Sequence, residues 1–162
     1  EYIKNLKDKQ DVIYYAVGES TDKIDLMPQV EEVKEKGYEI LYLTDYADEF
    51  VVQVLQNYDN KKFINVASSE VNLENEEEKK EVEKLNTESK DLLDKMKDVL
   101  KDKVTSVKFT NSLKKHPVCL TSEGAISTGM EKVLNSMPTN EKVKASTVLS
   151  INDSHPLAKK IK

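Results

Sequence analysis

The sequence offers few residues whose type and spacing could do chemistry. Val17-Gly18-Glu19-Ser20 ends an apolar run and opens a helical pattern. Free main-chain N–H groups at such a junction can hold a phosphate. A dinucleotide fingerprint needs two more glycines at fixed spacing, and a P-loop needs Gly-Lys-Ser/Thr. Neither pattern is present, so the other reading is a tight turn with Gly18 at positive φ. His116 and His155 each precede a proline, which forces extended backbone and marks a loop or strand start. Joined with Cys119 they could be drawn as metal ligands, but no Cys-x-x-Cys or His-x₃-His pair supports the site. Cys119 itself lies in the apolar Val118-Cys119-Leu120 and reads as a packed thiol rather than a nucleophile. Asp45, Asp48 and Glu49 form the densest acid cluster beside an apolar element. Their ordinary reading is charge placed at a helix N-terminus. No Ser/His/Asp order stands out, so the residues assign no catalytic group, no cofactor site and no metal.

The most informative stretch is Ala125 to Met137. Ile126, Met130, Val133, Leu134 and Met137 fall at i, i+4, i+7, i+8 and i+11, which is one apolar helix face. Such a face either packs on a local sheet or stays partly open as an adaptable sticky surface. Two Met residues and few aromatics suit the second use. The entry Ser122-Glu123-Gly124-Ala125 is small and polar, so the helix can hang from a flexible loop.

The elements that must carry these residues follow from pattern. Val12-Ile13-Tyr14-Tyr15-Ala16-Val17 is a continuous apolar run, read as a buried strand. Ser20 offers a helix N-cap, Pro28 restarts that helix and Gly37 stops it. Tyr38 to Leu43 is a second strand. Asp45 to Leu55 is a helix with Ala47, Val51, Val54 and Leu55 on one side, and Lys62 to Val66 is a third strand. Strand–helix–strand–helix–strand demands crossover connections, so residues 12–66 are expected to form a small three-layer βαβαβ unit. Glu74 to Glu81 is nearly all acid and lysine, an exposed linker or first helical turn. From Val82 the stripe Val82, Leu85, Leu92, Leu93, Met96, Val99 and Leu100 predicts one long helix to about Lys101. A coiled-coil seam is the alternative, with Ser89 and Lys103 at its core positions. The last third predicts strands at 104–109, 118–120 and 147–151 and a short helix at 128–137, a mixed α+β unit with antiparallel pairing. The fold class is therefore α/β followed by α+β, with the boundary near residues 68–76.

Composition bounds the function. The 162 residues hold 30 acids against 25 basic residues, a net charge of −5, with one Cys and no Trp. The overall balance gives no support for a nucleic-acid partner. No apolar stretch approaches the roughly 18 residues of a membrane span. One Cys permits no internal disulfide and fits a reducing compartment. The opening Glu1-Tyr2-Ile3 and closing Lys160-Ile161-Lys162 read as cut ends, so a piece of a longer protein is expected.

Ile13-Tyr14-Tyr15-x-x-Gly18-Glu19-Ser20 resembles the matching motif of the ninety-kilodalton heat shock protein chaperones. The similarity continues through Lys36-Gly37-Tyr38-Glu39-Ile40-Leu41-Tyr42, Asp48-Glu49-Phe50, Lys61-Lys62-Phe63, the acidic helix and Met130-Glu131-Lys132-Val133. It closes with Ile151-Asn152-x-x-His155-Pro156. The ordered set covers nearly the whole chain, and the short loops resemble the bacterial form. Asp153 stands where the family usually has Pro, Ser112 where an Arg is frequent, and Phe50 where bacterial members often have Trp.

The resemblance implies the end of the middle domain in residues 1–72 and most of the C-terminal domain in residues 73–162, without its last dimerisation helices. It implies a cytoplasmic, ATP-driven, homodimeric chaperone whose ATP and Mg sites lie outside this stretch. The stretch itself is then a client-binding and interdomain-coupling part without enzyme activity or a bound cofactor, mainly monomeric alone. Partly folded client proteins, the rest of its own chain and a second protomer are the implied partners. Family client contacts carry over to Ile126, Met130, Val133 and Leu134, and to Phe50 and Gln53; Met137 joins them from its place on the same face. The alternative, set apart from the resemblance, is a small phosphate- or nucleotide-binding α/β enzyme module using the Gly18–Ser20 turn.

Overall fold

A computed structural model describes residues 2–7, 10–71, 73, 75–138 and 141–161. Its first sheet holds β1 (Val12–Val17), β2 (Ile40–Leu43), β3 (Asn57–Tyr58) and β4 (Lys61–Asn65) in the order β2-β1-β4-β3. β1 runs parallel to both β2 and β4, so Tyr15 sits between Leu41 and Asn65. The all-apolar β1 takes this central place, where Ile13, Tyr14, Tyr15 and Ala16 are all buried, because a strand covered on both faces must be apolar throughout. β3 was not expected from pattern. Its hairpin to β4 turns on Asp59 and Asn60 at φ 52° and 59°, the left-handed pair that a two-residue hairpin requires.

Helices α1 (Thr21–Asp25) and α2 (Pro28–Glu35) follow β1. Ser20 caps the first, accepting from Lys23 N at 3.3 Å, and Pro28 opens the second. Ile24, Val30 and Val33 then close a core with Tyr14, Ala16 and Val66. Gly37 adopts φ +73° and ends the segment as expected. Gly18 does not adopt a positive φ. It is glycine for room: a Cβ there would lie 2.7 Å from Ile24 Cγ1.

Helix α3 (Tyr46–Leu55) is capped by Asp45, which accepts from Ala47 N at 2.9 Å. It buries Glu49 and Val52. The apolar side seen in the sequence faces outward instead, with Val51, Val54 and Leu55 exposed at 57%, 84% and 55%.

The expected long helix is two helices, α4 (Glu76–Glu88) and α5 (Lys90–Leu100), separated at Ser89. Ser89 leaves helical geometry at φ −97°, ψ 11°. The apolar spacing runs on across this break and so hides it. Asn75 and Glu78 form a capping box at the start of α4, worth about 1 kcal/mol for such a cap. Most of the stripe is core rather than a coiled-coil seam: Leu93 packs with Phe109 and Ile151, flanked by Leu85, Leu92, Met96 and Leu100, while Val99 is 80% exposed.

The second sheet holds β5 (Ser106–Thr110), β6 (Val118–Glu123) and β7 (Ser146–Asn152) in the order β5-β7-β6. The expected antiparallel sheet is mixed. β6 and β7 are antiparallel, but β5 and β7 run parallel, Val107 opposite Leu149. β6 and helix α6 (Thr128–Ser136) intervene between β5 and β7 and supply the crossover that parallel pairing needs. Asn86 of α4 closes the outer edge of β5, accepting from Phe109 N at 2.8 Å and donating to Phe109 O at 3.0 Å. Helix α7 (Ala158–Ile161) ends the described chain.

The two sheets meet along a short seam. Residues Ser68 and Ser122 form an isolated bridge, with Ser69 N to Ser122 O and Ser122 N to Ala67 O both at 2.8 Å. Gln29 donates to Leu120 O at 2.7 Å and Lys115 pairs with Glu31 at 2.8 Å.

Candidate functional site

The densest polar constellation lies where α3 meets the start of α6. Glu49 is only 1% exposed. One carboxylate oxygen accepts from Asn65 Nδ2 at 2.6 Å and from the Tyr15 hydroxyl at 3.5 Å; the other accepts from Ser127 Oγ at 2.6 Å. A buried carboxylate is tolerable only when its lone pairs are used in this way. Ser127 serves twice. As the N-cap of α6 it accepts from Met130 N at 3.1 Å while its hydroxyl donates to Glu49. Gly129 lets α6 come this near: a Cβ there would sit 3.0 Å from Tyr46 Cδ1 and 3.2 Å from Glu49 Oε2. Lys132 adds a cation–π contact, its ammonium 5.6 Å from the Tyr46 ring centre.

Gln53 completes the contact, donating to Ala125 O at 2.8 Å and to Met130 Sδ at 3.0 Å. Beside it opens a cleft of about 650 Å³ between the two halves, lined by Gln53, Asn57, Asn65, Ser122 and Ala125 among others. Burial pushes the Tyr15 hydroxyl far above the usual tyrosine range, and the Glu49 charge pushes it the same way. Tyr15 therefore stays a neutral donor to Glu49.

α6 lies against α3, and of its expected apolar face Met130 is held there by Gln53. Met130 is 6% exposed and so is packed. Ile126, Val133 and Leu134 are half-buried, Phe50 is half-buried, Gln53 is exposed, and Met137 is 44% exposed. The ridge is thus partly open rather than wholly free. Sequence reasoning missed Glu49, counting it with Asp45 and Asp48 as helix-terminal charge. Its place three residues before the buried Val52 was the available signal. It also missed Ser127 and Asn65.

The other candidates fall to structural roles. The Gly18–Ser20 turn is filled by Ile24, and Ser20 Oγ is spent on its own helix. Glu19 at the turn is ion-paired to Lys23. Burial pushes the Cys119 thiol up to about 11, which leaves it protonated and unreactive near neutrality. His155 Nδ1 accepts from Leu157 N at 3.1 Å. The neighbouring Asn152 is fully buried; its amide donates to Lys114 O and His116 O at 3.2 and 3.0 Å and its carbonyl accepts from Ser154. Among the described residues no group of three His, Cys, Asp or Glu is placed to hold a metal, and no helix is long and apolar enough to cross a membrane.

Over residues 1–162 the chain matches the family described as Hsp90 protein. The chain belongs to the Hsp90 family of chaperones. It is 48% identical over its whole length to the chaperone protein HtpG of Alkaliphilus oremlandii and 46% identical to that of Clostridium botulinum. The HtpG of Clostridium acetobutylicum is likewise 48% identical. In each case the chain spans 26% of the relative's length. These matches give the enzyme-module reading of residues 12–66 no support.

Proposed function

We propose that this chain is the part of an ATP-dependent chaperone that binds partly folded client proteins and couples two adjoining domains. Residues 1–72 are the end of one domain, with residues 12–66 as its βαβαβ unit, and residues 73–162 are most of the next. Ile126, Val133, Leu134 and Met137 on α6, with Phe50 and Gln53 on α3, form the client surface, with Met130 packed at its base. The observation that carries the reading is that α6 packs Met130 beneath Gln53 of α3 yet leaves Ile126, Val133 and Leu134 part-exposed. Non-native segments are recognised by such unfilled apolar surface. The outward side of α3, with Val51, Val54 and Leu55 open to solvent, extends it.

The Glu49–Ser127 bond, the Gln53–Ala125 bond and the Ser68–Ser122 bridge are the coupling elements. They let a client on α6 bias the position of the first half, a differential contact of the kind coupling requires. ATP and Mg binding, hydrolysis and pairing with a second protomer belong to the whole cytoplasmic protein. This chain alone carries out no hydrolysis and is mainly monomeric. The test is client binding by variants charged at the part-exposed positions, against their stability.

A further inference from the structure

A second concavity lies where the end of α5 meets the strand entering β7; one lining residue, Ala145, donates its main-chain N–H to Glu131 of α6 at 2.9 Å. It has a volume of about 460 Å³ and is lined by Lys97, Lys101, Lys103 and Lys144, with Asp102 the one acid. All four lysines are exposed. Ser146 adds a hydroxyl to its lining, the Thr105 hydroxyl donates to Thr147 O at 3.0 Å, and Lys144 Nζ donates to the Asp102 main-chain carbonyl.

Two observations set this dish apart. The chain is acidic, with a net charge of −5, yet the dish carries a local excess of three positive charges, four lysines against one aspartate. Finally, Lys101 sits at φ 49°, ψ −124°, a backbone conformation suited to glycine and costly for any side chain. A place that asks for glycine holds instead one of the four cations.

We infer that this dish binds condensed inorganic phosphate, a linear polyphosphate whose successive charges span the four ammonium groups. Lysine is a compact point charge, and the chain contains no arginine, so recognition is by charge density rather than by a planar bidentate fork. No aromatic side chain lines the dish, so a nucleotide base has nothing to stack on and a nucleic acid is disfavoured. The lining is also poor in apolar anchors, with only Val104 and Ala145, which argues against an acidic peptide.

The test is titration calorimetry of the chain with tripolyphosphate, a medium-chain linear polyphosphate, orthophosphate and ATP. The expected order is polyphosphate above tripolyphosphate above orthophosphate, with ATP no tighter than tripolyphosphate. Affinity falls steeply between about 50 and 200 mM salt, since bound phosphates are neutralised by lysine. Lys97→Gln and Lys144→Gln each weaken polyphosphate binding about fivefold, the factor for one unit-charge contact at 4 Å in water. Lys101→Gly weakens it comparably while leaving thermal stability equal or higher, because the strain is relieved. Lys84→Gln and Lys90→Gln remove the same net charge from ion-paired positions and leave binding within twofold. Equal losses in the control variants, tighter binding of ATP than of tripolyphosphate, or absence of saturable polyphosphate binding would each overturn the assignment.

Discussion

The Glu49 carboxylate and the Ser127 hydroxyl lie 2.6 Å apart, although 78 residues separate them in the chain. One is buried on α3, the other caps α6, and their bond ties the first sheet's layer to the helix that carries the apolar ridge. Glu49→Ala leaves Asn65, Tyr15 and Ser127 without their acceptor. The expected loss is about 2–4 kcal/mol, the range for breaking a buried hydrogen-bonded charge. Ser127→Ala costs about 1–3 kcal/mol, since it removes a cap and a donor together. In urea unfolding the double variant is expected to lose at least 0.5 kcal/mol less than the sum, as contacting residues do. Strict additivity would mean the bond ties nothing.

Asn86 and Phe109 make the second predicted point of fragility. The carboxamide satisfies both main-chain groups of Phe109, at the edge of a strand whose side chain is fully buried. Asn86→Leu keeps the volume and removes both of these bonds. The expected cost is about 2–3 kcal/mol in denaturant unfolding. A loss under half a kilocalorie would show that water replaces the amide without penalty.

Alkaline stability follows from buried neutral groups. Burial pushes Cys119 up from 9.0 to about 11 and Tyr14 up from 10.0 to about 12. Folding therefore holds these protons more tightly than the unfolded chain does. Their contribution is fully present below pH 9 and is lost as pH rises through 11 and 12. Unfolding free energy is expected to be flat from neutrality to about pH 9 and to fall above it. Cys119→Val should flatten the first part of that fall. The same thiol, alone in the chain, is expected to react with a disulfide reagent at pH 8 far more slowly than it does in urea. Equal rates in both would contradict its burial.

How much of this was legible in residues depends on what each pattern encodes. β1 was readable because Val12 to Val17 has no polar position to place outward. The α1–α2 restart was readable from Pro28, and the α3 start from Asp45. Direction was not readable: nothing in β5 or β7 says that they run parallel. The break at Ser89 was masked because Leu85 and Leu92 keep helical spacing across it. On α3 hydrophobicity pointed the wrong way, since Val51, Val54 and Leu55 face solvent while Glu49 goes inside. Burying Glu49 needs Asn65 and Ser127, which are distant in sequence, and no local pattern reports such partners. On α6 the spacing gave the face but not its depth, so Met130 turned out packed while Leu134 stayed part-exposed.

That difference in depth shapes the most direct test. Met130→Glu places a charge at a 6% exposed position and is expected to cost about 3 kcal/mol or more, so its loss of binding would say little. Ile126→Glu and Leu134→Glu act at half-buried positions and are expected to cost about 1 kcal/mol, in the ordinary range for such sites. The decisive measurement is the affinity of each variant for a permanently unfolded protein probe, taken beside its urea midpoint. Binding at least tenfold weaker is expected with the fold retained, and parent-like binding for an equal change of charge at the exposed, outlying Lys80→Gln. Undiminished binding by folded Ile126→Glu and Leu134→Glu proteins would contradict the client-surface reading.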